Sequence, residues 1–263
     1  PITPEVLEQL DRSGWELYRM ADDPSESNDL APEFPEVVRG MIARWWEEAE
    51  KYKVLPIDST MQARLATERP QTSKPRSRFV YYPGGSVVPA FAAPPVYNRA
   101  YSIEADVEIP AGGAEGVLLS QGGDAGGYAF YMKDGKLCFL YNYVGLDRFE
   151  VLAEDGGLTP GRHALRYEFE PTGAPDIPNG KGAPGRGQLY IDGTLVGAGD
   201  FPHTTPLFFE LEGLSCGFDF GAPAAEYDPP FPFTGTIRQV SVDLAGELIS
   251  DDEAELRLLM ARQ

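Results

Sequence analysis

The sequence predicts a mainly β protein, an antiparallel β-sandwich or jelly roll preceded by a small helical segment. Three observations lead there. Glycine (29) and proline (24) make up about a fifth of the 263 residues, against ~12% in average usage, so the chain is cut into many turns. From Arg78 onward apolar and polar residues alternate with period two, the signature of strands with one buried face. Strand-favouring aromatics are plentiful, with 13 Tyr and 14 Phe, and they fall in short runs.

Taken in order, residues 1–58 read as helical with one extended piece. Thr3 and Pro4 can open a helix as N-cap and first helical residue, and Gly14 can close it. Residues 15–20 (WELYRM) form an extended run ahead of the turn-rich ADDPSESNDLAPE. A strong helix is predicted from Pro35 to Tyr52, because Val37, Val38, Met41, Ile42, Trp45, Ala49 and Tyr52 fall on one stripe. Glu47 and Lys51 stand four apart on its outer side, a spacing that suits an ion pair. One such helix is too little for a domain, so its stripe is expected to dock on the rest of the chain or on a part beyond it. Residues 59–77 are polar and aperiodic and read as a linker.

The sandwich is expected over residues 78–249. Strands are predicted at 78–82, 101–109, 116–121, 128–133, 136–143, 148–154, 163–170, 187–193, 207–211 and 236–244. Asp134-Gly135 and Asp192-Gly193 are hairpin turns, since glycine supplies the positive φ that tight turns between twisted strands require. QGGDAGG (121–127) precedes a strand and not a helix, so it reads as a turn and not as a phosphate cradle. Residues 170–187 form a long surface loop. A terminal helix is predicted over 250–263, opened by the capping-box pair Ser250 and Glu253, with Arg257 and Arg262 toward its far end.

Charge narrows the partners. The chain holds 41 acidic and 22 basic side chains, a formal charge of -19. Nucleic-acid binding rests on clustered Lys and Arg, so a nucleic-acid partner is not expected. Residues 71–263 carry 26 acids against 14 bases, which would also repel sulfated polymers. Hydrophobic residues make up 42%, enough for a real core, and no run of 18 apolar residues suggests a membrane-spanning helix. The first residues lack the charged and apolar regions of a signal peptide, and Pro1 reads as a start inside a longer protein. The compartment, cytoplasmic or periplasmic, stays open.

Several constellations could carry chemistry. Glu104, Asp106 and Glu108 alternate on one predicted strand, with Tyr101, Ile103, Ala105, Val107 and Ile109 toward the core, so the carboxylates line one face about 6.5–7 Å apart. Retaining glycosidases set two carboxyls about 5–5.5 Å apart. This E-x-D-x-E resembles the motif of laminarinase-like glycoside hydrolases, with Ala105 where that family usually has a larger aliphatic residue. The plainer reading is a solvated strand face. All three Trp (15, 45, 46) precede the sandwich, which leaves a sugar cleft without its usual platform. His163 and His203 lack a G-x-S-x-G nucleophile and read as structural or surface residues. Asp219 and Asp228 could ligate Ca²⁺ with backbone carbonyls, on the slight basis of two carboxylates nine residues apart. Cys138 and Cys216 lie in apolar strand-like stretches and are expected as buried free thiols. The aromatic FPFTG (231–235) reads as core.

GWELYRMADDPSESNDLA (14–31), the Trp-rich helix and EKYKVLPID (50–58) together resemble the C-terminal end of the catalytic part of bacterial arylsulfatases. That family has a W-E-L-Y-x-x-x-x-D-P-x-E-x-x-D-L-A stretch, matched here from Trp15 to Ala31. The rest of the chain is similar to the extra region that large members carry after it, through residues 101–151, 187–199 and 229–244. The resemblance spans nearly the whole chain and implies a concanavalin-like sandwich. It also implies a missing half. The family's formylglycine arises within C/S-x-P-x-R, and the nearest imitation, Ser73-Lys-Pro75-Arg76-Ser77, puts Ser where Arg should stand. The family's divalent metal, usually calcium, and its catalytic His and Lys would belong to an upstream domain. No catalytic, cofactor-binding or metal-binding residue is therefore assigned to this chain. The expected function is the non-catalytic C-terminal portion of an arylsulfatase-type sulfate-ester hydrolase, with the catalytic domain as partner and a homo-oligomer as an option. The alternatives are a carbohydrate-binding module or a laminarinase-like hydrolase using Glu104, Asp106 and Glu108.

Overall fold

A computed structural model describes residues 14–54, 76–154 and 158–245. The helices expected over 3–14 and 250–263, and nearly all of the 59–77 linker, lie outside the described residues. The chain divides into two compact units, residues 1–74 and 75–263.

In the first unit, helix α1 runs Pro35–Lys51, as its apolar spacing predicts. Pro35 sits at its first position, where a missing N–H costs nothing. Of the predicted stripe only Ala49 is buried, while Val37, Met41 and Tyr52 are exposed. Trp45 instead packs edge-on against Trp15 and Trp46, at 5.8 and 5.0 Å between ring centroids. The predicted Glu47–Lys51 pair gives way to Glu48, three residues before Lys51, at 3.4 Å. The expected extended run 15–20 is irregular, and its shape comes from two carboxylates. Asp29 accepts the Leu17 and Ala31 amides at 2.9 Å each, and Asp23 accepts those of Ser27 and Asn28. Those amide bonds hold both aspartates below the usual carboxylate range. The two Asp of the W-E-L-Y…D-P…D-L-A stretch thus have structural work as turn formers.

The second unit is a sandwich of two antiparallel sheets. Its strands are β1 (Arg78–Tyr81), β2 (Tyr101–Ile109), β3 (Gly116–Gly123), β4 (Gly126–Lys133), β5 (Lys136–Tyr143), β6 (Asp147–Leu152), β7 (Gly161–Pro171), β8 (Gly185–Ile191), β9 (Thr194–Phe201), β10 (Leu214–Cys216) and β11 (Thr236–Asp243). The six-stranded sheet is ordered β1-β11-β2-β7-β8-β9 and the five-stranded sheet β10-β3-β4-β5-β6. Alternation puts Ile103, Ala105, Val107, Leu165, Tyr167 and Leu189 on the inner face of the first sheet, all fully buried. They meet Leu119, Tyr128, Phe130, Leu137 and Phe139 of the second. Phe139 and Tyr167 stack across the two sheets, their rings 6° from parallel. Both Asp-Gly turns form as predicted, pairing Lys133 with Lys136 and Ile191 with Thr194.

Nine of the ten predicted strands are present. The exception is 207–211, where the chain is irregular and its amide at Phe209 is tied to the Tyr97 hydroxyl. β9 and β10 were not foreseen. In β9 (TLVGAGDF) glycines replace the expected apolar residues because the sheets close there. A Cβ on Gly197 would land on the Leu152 carbonyl of β6, inside contact distance.

Candidate functional site

The carboxylate strand is the first place to look, and the register explains it. β7 lies beside β2 with Glu108 opposite Arg162 and Glu104 opposite Arg166, and Arg238 of β11 stands on the other side. Arg162 grips Asp106 with two hydrogen bonds, 2.9 and 2.7 Å. Arg166 reaches Glu104 at 3.2 Å, and Arg238 reaches Glu108 at 3.5 Å. The Arg162 hydrogen bond holds the Asp106 carboxyl below its ordinary range, so it stays ionised and is unsuited to donate a proton. Arg166 is shared with Glu168, which is fully buried and accepts its Nε at 2.6 Å. The carboxylates of the laminarinase-like reading form an ion-pair ladder.

The histidines are separately occupied. His163 Nδ1 lies 2.7 Å from Asp192 and Nε2 lies 2.8 Å from the Thr159 carbonyl. Burial opposes its charge, but those two partners outweigh burial and raise its pKa. His203 meets Asp147 at 3.0 Å, between the rings of Tyr143 and Phe149. Cys138 and Cys216 are buried free thiols, each pushed by burial up to about 12, where a thiolate nucleophile is unattainable at neutral pH.

Asp219 and Asp228 part company. Asp219 is 2% exposed and accepts the Tyr227 hydroxyl at 2.5 Å, with Ser120 and the Phe220 and Gly221 amides as further partners. Its oxygens are spent on hydrogen bonds. Burial nonetheless raises its pKa. Asp228 faces solvent at the edge of a groove. Among the described residues no three His, Cys, Asp or Glu side chains are arranged to hold a metal ion.

That groove is the site sequence reasoning missed. The segment 217–233 folds over the outer face of the five-stranded sheet and builds a second small core with Val117, Ala129, Tyr131, Cys138 and Leu140. Its anchors to the sheet are backbone bonds, from Val117 N–H to the Phe231 carbonyl and from Gly217 N–H to the Leu118 carbonyl, while Asp219 N–H to the Pro230 carbonyl closes the segment on itself. Tyr227 and Phe231 cap this core as a stacked pair, centroids 5.0 Å apart and planes 28° apart, with Tyr131 edge-on beneath Tyr227. Phe231 holds a φ of +37°, a left-handed conformation that costs a bulky residue energy and is kept only where surroundings enforce it. The groove, about 530 Å³, is lined by Lys133, Glu226, Tyr227, Asp228 and Phe231. The Lys133 ammonium donates to the Glu226 carbonyl at 2.6 Å, and Arg148 lies 3.6 Å from the Glu226 carboxylate. FPFTG therefore splits its roles. Phe233 packs on the main core, whereas half-buried Phe231 lines the groove. The signal that could have found it is the recurrence of aromatic and acidic residues in EYDPPF (226–231).

No protein-family model matches the chain, and no curated protein matches it. Among solved structures it is similar to the CBM40 of the Ruminococcus gnavus IT-sialidase bound to α2,3 sialyllactose: 12% identity, TM-score 0.42, 68% of this chain and 97% of that one. It is also similar to the heptameric SAP-like pentraxin of Limulus polyphemus (12%, 0.37, 64% and 76%) and to mouse laminin α1 domains LG4-5 (16%, 0.38, 67% and 41%). Likenesses this distant say nothing of what this chain binds.

Proposed function

We propose that the sandwich is a non-catalytic carbohydrate-binding module, attached to an arylsulfatase-type catalytic region. The observation that carries the binding reading is the Tyr227–Phe231 pair. Two stacked rings offer an apolar platform for the C–H face of a pyranose. Lys133, Asp228 and the Glu226 carboxylate around them offer donors and acceptors for its hydroxyls. With Arg148 paired to Glu226, Lys133 and Arg148 only balance Glu226 and Asp228, and on a unit rich in acid that favours neutral sugars over sulfated or sialylated ones. The catalytic attachment rests on the sequence likeness from Trp15 to Ala31. A parent gene encoding C/S-x-P-x-R upstream of Pro1 would support it.

The binding reading is tested by calorimetric titration of the chain with neutral oligosaccharides (gluco-, manno-, xylo- and galacto-configured). Saturable binding that Phe231→Ala abolishes, with the fold intact by circular dichroism, is the expected result. If none of the panel binds tighter than ~10 mM, the module reading fails, and a purely structural accessory takes its place.

A further inference from the structure

A second surface lies in three other loops of the sandwich. Phe91 in residues 83–97, Leu207, Phe208 and Leu211 in residues 205–213, and Phe220 are large apolar side chains left exposed, Phe91 by 79%, Leu211 by 73% and Phe220 by 69%. The loops that carry them are linked. The Phe91 and Phe208 rings are 6.4 Å apart. Val88 and Leu214 bridge the first two loops backbone to backbone. The Glu212 carboxylate fills the space over Gly221, which ties the 205–213 loop to the loop that carries Phe220. Exposed apolar clusters of this kind mark interaction sites on folded proteins.

Its charge identifies the occupant. Glu210, Glu212 and the Ala222 carbonyl crowd the point where a Cβ on Gly123 would stand, and Asp124 follows directly. Glu210 Oε1 is buried without a hydrogen-bond partner. Burial first, then the charges of Glu212 and Asp124, push the Glu210 carboxyl up. None of the three carboxylates is in an ion pair among the described residues, and no three acids there are arranged to chelate a metal. A second copy of this chain would bring acid against acid. The geometry points to a docking surface for a basic, apolar segment of another protein, whose Lys or Arg meets Glu210, Glu212 and Asp124 while its apolar side chains cover Phe91, Phe208, Leu211 and Phe220. Removing Phe91 and Leu211 from water, and giving a cation to a carboxyl that accepts only the Ala125 amide and leaves its Oε1 unbonded, both favour that complex.

The probe is a fluorescein-labelled 12-residue peptide of alternating Leu and Arg, with Leu/Glu and Ser/Arg versions as controls, read by fluorescence anisotropy. Binding of the Leu/Arg peptide should be saturable and weaken as salt rises from 50 to 500 mM. It should also fall at least about tenfold, some 1.4 kcal/mol, in Glu210→Gln/Glu212→Gln and in Phe91→Ser/Leu211→Ser. All four positions are loop residues outside the main core, and circular dichroism checks each variant's fold. Equal binding of the Ser/Arg peptide would reduce the surface to general electrostatics and overturn the inference. Indifference to the variants would overturn it too, as would sedimentation showing self-association lost in Phe91→Ser. Calorimetric Ca²⁺ binding lost in Glu210→Gln would show that the triad takes a metal and not a side chain.

Discussion

Tyr227 donates its hydroxyl hydrogen to the Asp219 carboxylate over 2.5 Å, and that carboxylate is 2% exposed. The bond ties segment 217–233 to itself beneath the proposed groove. Tyr227→Phe keeps the aromatic stack and removes only the donor. It should cost about 1.5–3 kcal/mol at pH 7, the range for hydrogen bonds to charged groups. Asp219 is raised above its unfolded value by burial, so ionising it weighs on the fold as pH climbs through that raised value. The penalty of the mutation should therefore shrink toward pH 4. Urea unfolding at both pH values checks this, and a penalty that grows on acidification would refute the assignment.

The arginine ladder leads to a different expectation for Glu104 and Glu108. Both are partly exposed, and surface ion pairs contribute at most about 1 kcal/mol. Glu104→Gln and Glu108→Gln should shift stability by no more than about 0.5 kcal/mol. Neither should affect hydrolysis of a β-glucan, since Arg162, Arg166 and Arg238 hold the three carboxylates. A glucanase activity abolished by either change would restore the laminarinase-like reading.

Gly197 carries the closure between the edges of the two sheets. Its Cα faces the Leu152 carbonyl, and the Glu154 amide bonds to the Val196 carbonyl at 2.8 Å alongside. Gly197→Ala adds one methyl group to a site with no room, against backbone that cannot rotate aside. A loss of about 1–3 kcal/mol is expected, read as a lower denaturant midpoint with unchanged slope. Gly193→Ala, in open space at φ +79°, serves as the contrast, because its cost comes from conformation alone.

Legibility in the sequence followed physical range. β2 matches its predicted limits because alternation is local and one face is buried, with Ile103, Ala105 and Val107 pointing inward, and β5 matches because its near-continuous apolar run is buried on both faces. β9 escaped because Gly197 and Gly199 answer to Leu152 and Val151, nearly fifty residues away in sequence. Residues 207–211 (LFFEL) are apolar and aromatic as a buried strand would be, yet Phe209 alone is buried, and its amide is held by the Tyr97 hydroxyl and not by a neighbouring strand. Alternation places Glu104, Asp106 and Glu108 on one outward face, but their arginine partners come from the β2–β7 and β11–β2 registers, which the sequence does not display. The Tyr227–Phe231 groove was harder still. It exists because a long segment folds back over a sheet face, and EYDPPF marks the aromatic and acidic residues without encoding that return.

His163 and Asp192 bridge β7 to the turn between β8 and β9, with Asp192 also accepting the Ala164 amide at 2.8 Å. Their pKa values move apart. Burial disfavours the imidazolium, yet the Asp192 and Thr159 hydrogen bonds raise His163 above 6.5. Burial likewise opposes the Asp192 carboxylate, yet the Ala164 amide and His163 lower it below 3.8. A group raised on folding gives stability that is full below its unfolded pKa and lost as pH rises through its folded one. The pair should thus stabilise most between about pH 4 and pH 6.5, fading on the alkaline side as His163 deprotonates and on the acid side as Asp192 protonates. Asp192 is half-exposed, so solvent screening limits the effect to about 1 kcal/mol. Asp192→Asn keeps an acceptor for Ala164 but removes the charge. NMR titration of the imidazole should show the His163 pKa falling toward its ordinary value in that variant. An unchanged titration would mean that the Thr159 carbonyl alone sets the shift.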